Sequence, residues 1–283
     1  VRSLVVRARQ VVVAAGALRT PAILHGSGFS HPAIGRFLRV HPVPVVAGVM
    51  PQPIEMWRGP MQGARSLQFG DRTAEHEPYA IESAPGHPGL IALALPWESA
   101  EAHADLMTRV RHIAPLIAVT RDGGAGRTTL TRAGRVRVDY RLDDRGRATL
   151  RHALVRMAEL LRAAGGQDIV AVGTRPAWLL GAQAAPERAW RRYVGELAAF
   201  DYAPNRGTIL SAHQMGTARM GAAPREHVCD PRGRVRAGGA SDAVVGGLYV
   251  ADTSLFPTGL GVNPMLTVMV LARRVARTVL AEG

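Results

Sequence analysis

The chain has 283 residues, 47% apolar and 20% charged, which is enough to bury a sizeable core and places it among folded globular proteins. A net charge of +13 and a pI near 11.3 raise nucleic acid as a partner. Every basic residue is Arg, however, set in twos and threes as in "RHALVRMAELLR", and the few aromatic residues are not interleaved with them as a base-stacking surface requires. Nucleic acid is therefore set aside, and the Arg-only usage reads as coding bias.

The opening "SLVVRARQVVVAAGA" holds two short β-branched runs, which predict two strands. Val11 to Val13 is apolar without alternation, the pattern of a strand buried on both faces. "TPAILHGSG" then reads as a short helix with Pro21 near its first turn and glycines closing it. From 36 to about 125 the chain is rich in Pro and Gly and broken by runs such as "VPVVAGVM" and "GLIALAL", the texture of a small sheet with long loops. "RVRVDYRL" predicts charged strands and "DDRGR" a turn, and helical spacing of apolar residues follows from about Ala148 to Ala164 and again over Pro186 to Leu197.

The last third returns to the style of the first. A short strand, Leu248 to Ala251, precedes Asp252, and a final helix runs from Pro264 to about Ala281, with Asn263 suited to cap it and Pro264 to its first position. The longest uncharged run, Thr253 to Ala272, approaches membrane-spanning length, but Pro257, Gly259, Gly261 and "NP" break its first half, so no transmembrane segment is expected. The single Cys229 excludes an intrachain disulfide, and with no second cluster at ligand spacing it predicts no metal site. Its use is compatible with a reducing compartment, and a cytoplasmic location is expected, with peripheral membrane attachment as the alternative.

Two stretches stand out. "HQMGTAR" (213 to 219) and "PTGLGVNPM" (257 to 265) each set one reactive polar side chain, His213 or Asn263, among small residues. Taken with "GALRTPAILHGSG" (16 to 28), "IGRFLRVHP" (34 to 42) and "VADTSLFPT" (250 to 258), they occur in the order found in the glucose–methanol–choline (GMC) flavoprotein oxidoreductases, which the chain resembles. Phe29 and Ser30 depart from that family's second signature. Gln214 after the histidine is most similar to the long-chain (fatty) alcohol oxidase branch, although Ala218 stands where that branch often has Cys.

The resemblance implies an α/β (α+β overall) fold, a partial FAD-binding Rossmann-like layer with an inserted antiparallel-sheet substrate domain. The layer is expected from residues 1–30 and 207–283, and the substrate domain from 31–206. It implies FAD as cofactor, a primary alcohol, long-chain ones included, as substrate, and oxygen or another electron acceptor. His213 and Asn263 become the catalytic pair, and Asp252, Pro264 and Met265 the cofactor contacts. Two local readings compete, Asn263 as a helix cap and Asp252 as a strand-end turn. His41, in "RVHPV", is read as buttressing a turn and left outside the site. No G-x-G-x-x-G follows a predicted strand, so the chain is expected to be the C-terminal part of a longer enzyme whose N-terminal half grips the FAD phosphates. The alternative is a truncated, flavin-free and catalytically inactive product.

Overall fold

The computed structural model describes residues 4–238 and 242–283. In chain order the elements are β1 (Val11–Val13), α1 (Gly16–Gly26), β2 (Arg36–Leu38), β3 (Val45–Val49), β4 (Arg65–Ser66), β5 (Tyr79–Ser83), α2 (Pro88–Ala94), α3 (Ala100–Thr108) and β6 (Ile113–Thr120). Then come β7 (Gly126–Leu130), β8 (Val136–Asp139), α4 (Asp144–Ala163), β9 (Asp168–Ala171), β10 (Ala177–Leu179), α5 (Glu187–Ala198), β11 (Arg234–Arg236), β12 (Val244–Val250) and α6 (Met265–Glu282). They form two compact units, one of residues 1–41, 122–141 and 212–283, the other of 42–121 and 142–211. Segments 31–41 and 122–141 thus lie with the chain's two ends, not with the insertion to which the resemblance assigned them.

The second unit is an antiparallel sheet ordered β10-β9-β3-β6-β5-β4. One face carries α4 and α5 over a core that includes Val46, Ile81, Leu154, Met157 and Leu197. The other buries Ala47, Val49, Leu106 and Ile113. Two expectations fail here. "GLIALAL" forms α2, not a strand, because His87 accepts the Gly89 amide and Pro88 starts the helix. "DDRGR" is no turn: Asp143 accepts the Gly146 amide at 2.6 Å and so starts α4 four residues early.

In the first unit β1 runs parallel to β12, Val11 opposite Leu248 and Val13 opposite Val250, and β11 completes the sheet on the far side of β12. The two ends of the chain share one layer, as expected. β1 is nevertheless an edge, with Val11 and Val12 49% and 45% exposed, so the unalternating valines are not covered on both faces by the described residues. Residues 4–10 form no strand, and the rest of that expected element lies outside the described residues.

α1 is longer than the sequence suggests, and Pro21 lies in its interior. An interior proline leaves the carbonyl four residues back without its amide donor. The Thr217 hydroxyl replaces that donor, 2.6 Å from the Ala17 carbonyl in a fully buried position. Thr217→Val is expected to lower stability by about 1–2 kcal/mol, the cost of an orphaned buried acceptor. Adding Pro21→Ala, which restores the amide, should return part of it, and equal urea midpoints for the two variants would refute the substitution of one donor for the other.

Candidate active site

The small residues of "HQMGTAR" are explained by backbone pressed between two other strands of backbone. On one side the Arg39 and Met215 amides and carbonyls exchange two hydrogen bonds of 2.9 Å, and the Gly35 amide donates to the Thr217 carbonyl at 2.8 Å. On the other, the amides of Gly216, Ala218 and Met220 donate to the carbonyls of Thr253, Ser254 and Leu255. Gly216, at φ +85°, has no room for a side chain, since a Cβ would stand 2.7 Å from the Phe37 carbonyl oxygen. Gly35, at φ +77°, is held against Thr128 in the same way.

The antiparallel bridge between Arg39 and Met215 fixes what comes next. Two residues onward on one segment and two back on the other stand opposite each other, and these are His41 and His213. Their Nδ1 atoms are 3.3 Å apart, with the ring planes at 81°. His41 is fully buried and holds the left-handed φ of +47°, while His213 is half-buried. Nε2 of His41 accepts the Gly261 amide at 2.9 Å, which ties the "PTGLGVNPM" loop to the pair. Far from only supporting a turn, His41 joins the two motifs that the sequence singled out.

Asn263 lies two residues beyond Gly261 and is half-buried. α6 begins at Met265 with Pro264 as its cap residue, so Asn263 stands one position before the place from which a side chain caps a helix. Pro264 has helical-region angles, φ −84° and ψ −4°, and its carbonyl accepts the Val268 amide at 2.9 Å. Met265 is exposed, and no side chain of the cap residue covers the amides of the first turn. These amides carry the positive end of the helix dipole.

Asp252 is engaged inward. Its Oδ2 accepts the Gly16 amide at 2.9 Å and the Thr20 hydroxyl at 2.5 Å. Its Oδ1 accepts the Ser254 amide at 2.7 Å and the Ser254 hydroxyl. The carboxylate thus clasps the start of α1 to the turn that pairs with the His213 motif.

Asp122, unmarked in the sequence beyond the turn-like "RDGG", is the other residue that builds this region. Its Oδ2 accepts the Val40 amide at 2.8 Å and the Tyr140 hydroxyl at 3.3 Å, holding the backbone next to His41. Burial pushes its carboxyl above the usual range, against the lowering effect of those bonds and of Arg39. Arg39 in turn reaches the Asp122, Gly123 and Gly124 carbonyls. Cys229 is fully buried and burial pushes its thiol up, which makes it an inert core residue. Among the described residues no cluster suits a metal ion, and no helix is long and apolar enough to cross a membrane.

Set beside known proteins, the chain matches the GMC oxidoreductase C-terminal family model over residues 125–272 and the N-terminal model over residues 1–43. It belongs to the GMC oxidoreductase family. It is 35% identical to a long-chain-alcohol oxidase of Arabidopsis thaliana, over 95% of this chain and 36% of that protein. It is 34% identical to a GMC-type oxidoreductase of Mycobacterium tuberculosis, over 98% of this chain and 40% of the other. The chain therefore spans little more than a third of the length of these relatives. Among solved structures it is similar to a formate oxidase of Aspergillus oryzae (TM-score 0.61, 16% identity, 97% of this chain and 54% of that one). A pyridoxine 4-oxidase from Mesorbium loti gives a TM-score of 0.57 at 20% identity, over 97% and 52%. These two likenesses concern the fold.

Proposed function

We propose that this chain is the substrate-side and C-terminal part of an FAD-dependent oxidoreductase that oxidises a primary alcohol, long-chain alcohols included, and that His213 and Asn263 serve the reacting oxygen. The observation that carries the reading is the link from His213 through His41 to Gly261, which brings the histidine motif and the Asn263 loop into one arrangement. Bound FAD would supply the hydride acceptor for the carbinol carbon. His213 handles the hydroxyl proton, a task suited to an imidazole that can both take and give one, and Asn263 hydrogen-bonds the oxygen that loses it.

The residues present fit one side of such a cofactor. The first turn of α6, from Met265, offers amides that its cap residue Pro264 does not cover, placed after the bare "GLGV" stretch, and a positive helix end suits the negative charge of a reduced flavin. Pro264 and Met265 are the contacts proposed there. Asp252, whose oxygens are taken by the chain's own donors, contributes by holding α1 and the 253–255 turn in place. No Gly-rich phosphate loop occurs in the sequence, so the phosphates fall to the remainder of a longer enzyme. That remainder also accounts for the exposed β1 edge and for Met265, Leu266, Met269 and Val270, 58–72% exposed on α6.

The Asn263 role has its own test. Asn263→Ala in the full-length flavoprotein is expected to slow single-turnover flavin reduction by alcohol by about tenfold or more, on the scale of a lost transition-state hydrogen bond. Its melting temperature should barely move. A loss of about 1 kcal/mol in stability with reduction unchanged would instead return Asn263 to the role of a cap.

A further inference from the structure

We infer that Asp122 is a positioning residue for the proposed reaction, setting the distance between the His213 motif and the loop that carries Asn263, an inference that rests on the role given above to that pair. Three segments meet at Asp122. Its Oδ2 accepts the Val40 amide at 2.8 Å, which fixes the backbone immediately before His41. A guanidinium nitrogen of Arg39 reaches the carbonyls of Asp122 and Gly123 at 3.2 and 2.6 Å, and Arg39 is the residue bridged to Met215, two places after His213. The third segment is the 257–263 loop. Gly259 is buried there, and a Cβ on it would stand 3.0 Å from Oδ1 of Asp122 and 3.7 Å from Cβ and Cγ of Arg39.

The two oxygens of Asp122 are used differently. Oδ2 accepts the Val40 amide and the Tyr140 hydroxyl, whereas Oδ1 is buried with no hydrogen bond from another described residue and lies against Gly259. A buried oxygen without a donor weakens a fold, so stability alone favours a different side chain at this place. Departures of this kind belong to functional sites. What Oδ1 supplies is a limit on the approach of the loop, which rests on this oxygen and on the Arg39 stem at Gly259 before its Gly261 amide meets His41 at 2.9 Å. Asn263 follows two residues on. The spacing is thus set from Met215 through Arg39 to Asp122, and from Oδ1 through Gly259 to Asn263. A misplacement of about 1 Å in a catalytic contact can cost on the order of 10²-fold in rate, so a residue that sets this spacing acts on the rate through His213 and Asn263.

The test is a pair of substitutions, made singly and together in the full-length, FAD-loaded protein. Gly259 lies outside the left-handed region, so an alanine there meets only its neighbours' atoms. Gly259→Ala pushes the loop off Oδ1 and should slow single-turnover flavin reduction at saturating alcohol by about tenfold, with the alcohol concentration for half-maximal rate unchanged. Asp122→Ala lets the loop sink and should slow it by about as much. In the double variant the new methyl fills the place of the lost carboxyl, and reduction should be faster than in either single variant. Asp122→Asn keeps the shape and an acceptor for the Val40 amide, and should recover most of the rate lost in Asp122→Ala. Losses that multiply in the double variant, a slow Asp122→Asn, or single variants with lowered urea midpoints and unchanged reduction would overturn the inference. If Asp122→Ala does not fold, Gly259→Ala decides alone, since unchanged reduction there is equally fatal. Unchanged reduction in a His213→Ala variant would remove the role of the catalytic pair instead, a result separable from the coupling between residues 122 and 259.

Discussion

His213→Ala in the full-length flavoprotein should slow single-turnover reduction of the flavin by alcohol by on the order of 10²-fold or more, the scale of a general acid–base group. The size follows from what is removed. The ring that His213 faces does not replace it, because Nε2 of His41 accepts the Gly261 amide. FAD affinity should change little, since the half-buried His213 sits on the motif that packs against the 35–39 segment and the phosphates are assigned to a different part of the enzyme. Stability should also change little, because the backbone bonds of residues 215–220 that hold the motif remain. Unchanged reduction, or a loss confined to FAD affinity, would remove His213 from the chemistry.

The parts of this site that could be read in the sequence are those that identify themselves by residue type. His213 and Asn263 stand among small neighbours, and small neighbours mean close approach of something, which for residues 215–220 proves to be backbone on both sides. That Val11–Val13 and Leu248–Val250 share one layer was expected from their short apolar runs and from the family resemblance, while their direct parallel pairing was not read. What stayed hidden depends on register. Nothing local in "RVHPV" says that His41 will face His213, because that follows from a bridge between residues 176 positions apart, Arg39 and Met215. Asp122 was invisible for the same reason, its partners Val40 and Tyr140 lying on separate segments. Pro21 misled in a simpler way. Local rules place a proline at a helix's first turn, and only a distant hydroxyl, that of Thr217, makes the interior position tolerable.

The largest stability effect is expected at Asp252, and it separates two roles proposed for one carboxylate. Asp252 is 8% exposed and accepts four hydrogen bonds, from the Gly16 amide, the Thr20 hydroxyl and both donors of Ser254. Thr20 and Ser254 are themselves fully buried, so water cannot take the place of the lost acceptor. Asp252→Ala should therefore lower the free energy of unfolding by about 4 kcal/mol, since hydrogen bonds to a charged acceptor are each worth roughly 1.5–3 kcal/mol and part of the loss is recovered by local relaxation. Asp252→Asn should cost about half as much, because one oxygen remains for one pair of donors while the new amide group faces the other pair. The comparison that decides is between FAD-free and FAD-loaded protein. A clasp between α1 and the 253–255 turn works without cofactor, so the urea midpoint should fall by a similar amount in both states, while FAD affinity drops only as far as the loosened α1 terminus allows. If the carboxylate instead bonds the cofactor directly, the FAD-free midpoint will hardly move and the whole effect will appear as weaker FAD binding. An unchanged midpoint in the FAD-free protein would thus refute the clasp and return Asp252 to the cofactor contacts that the sequence suggested.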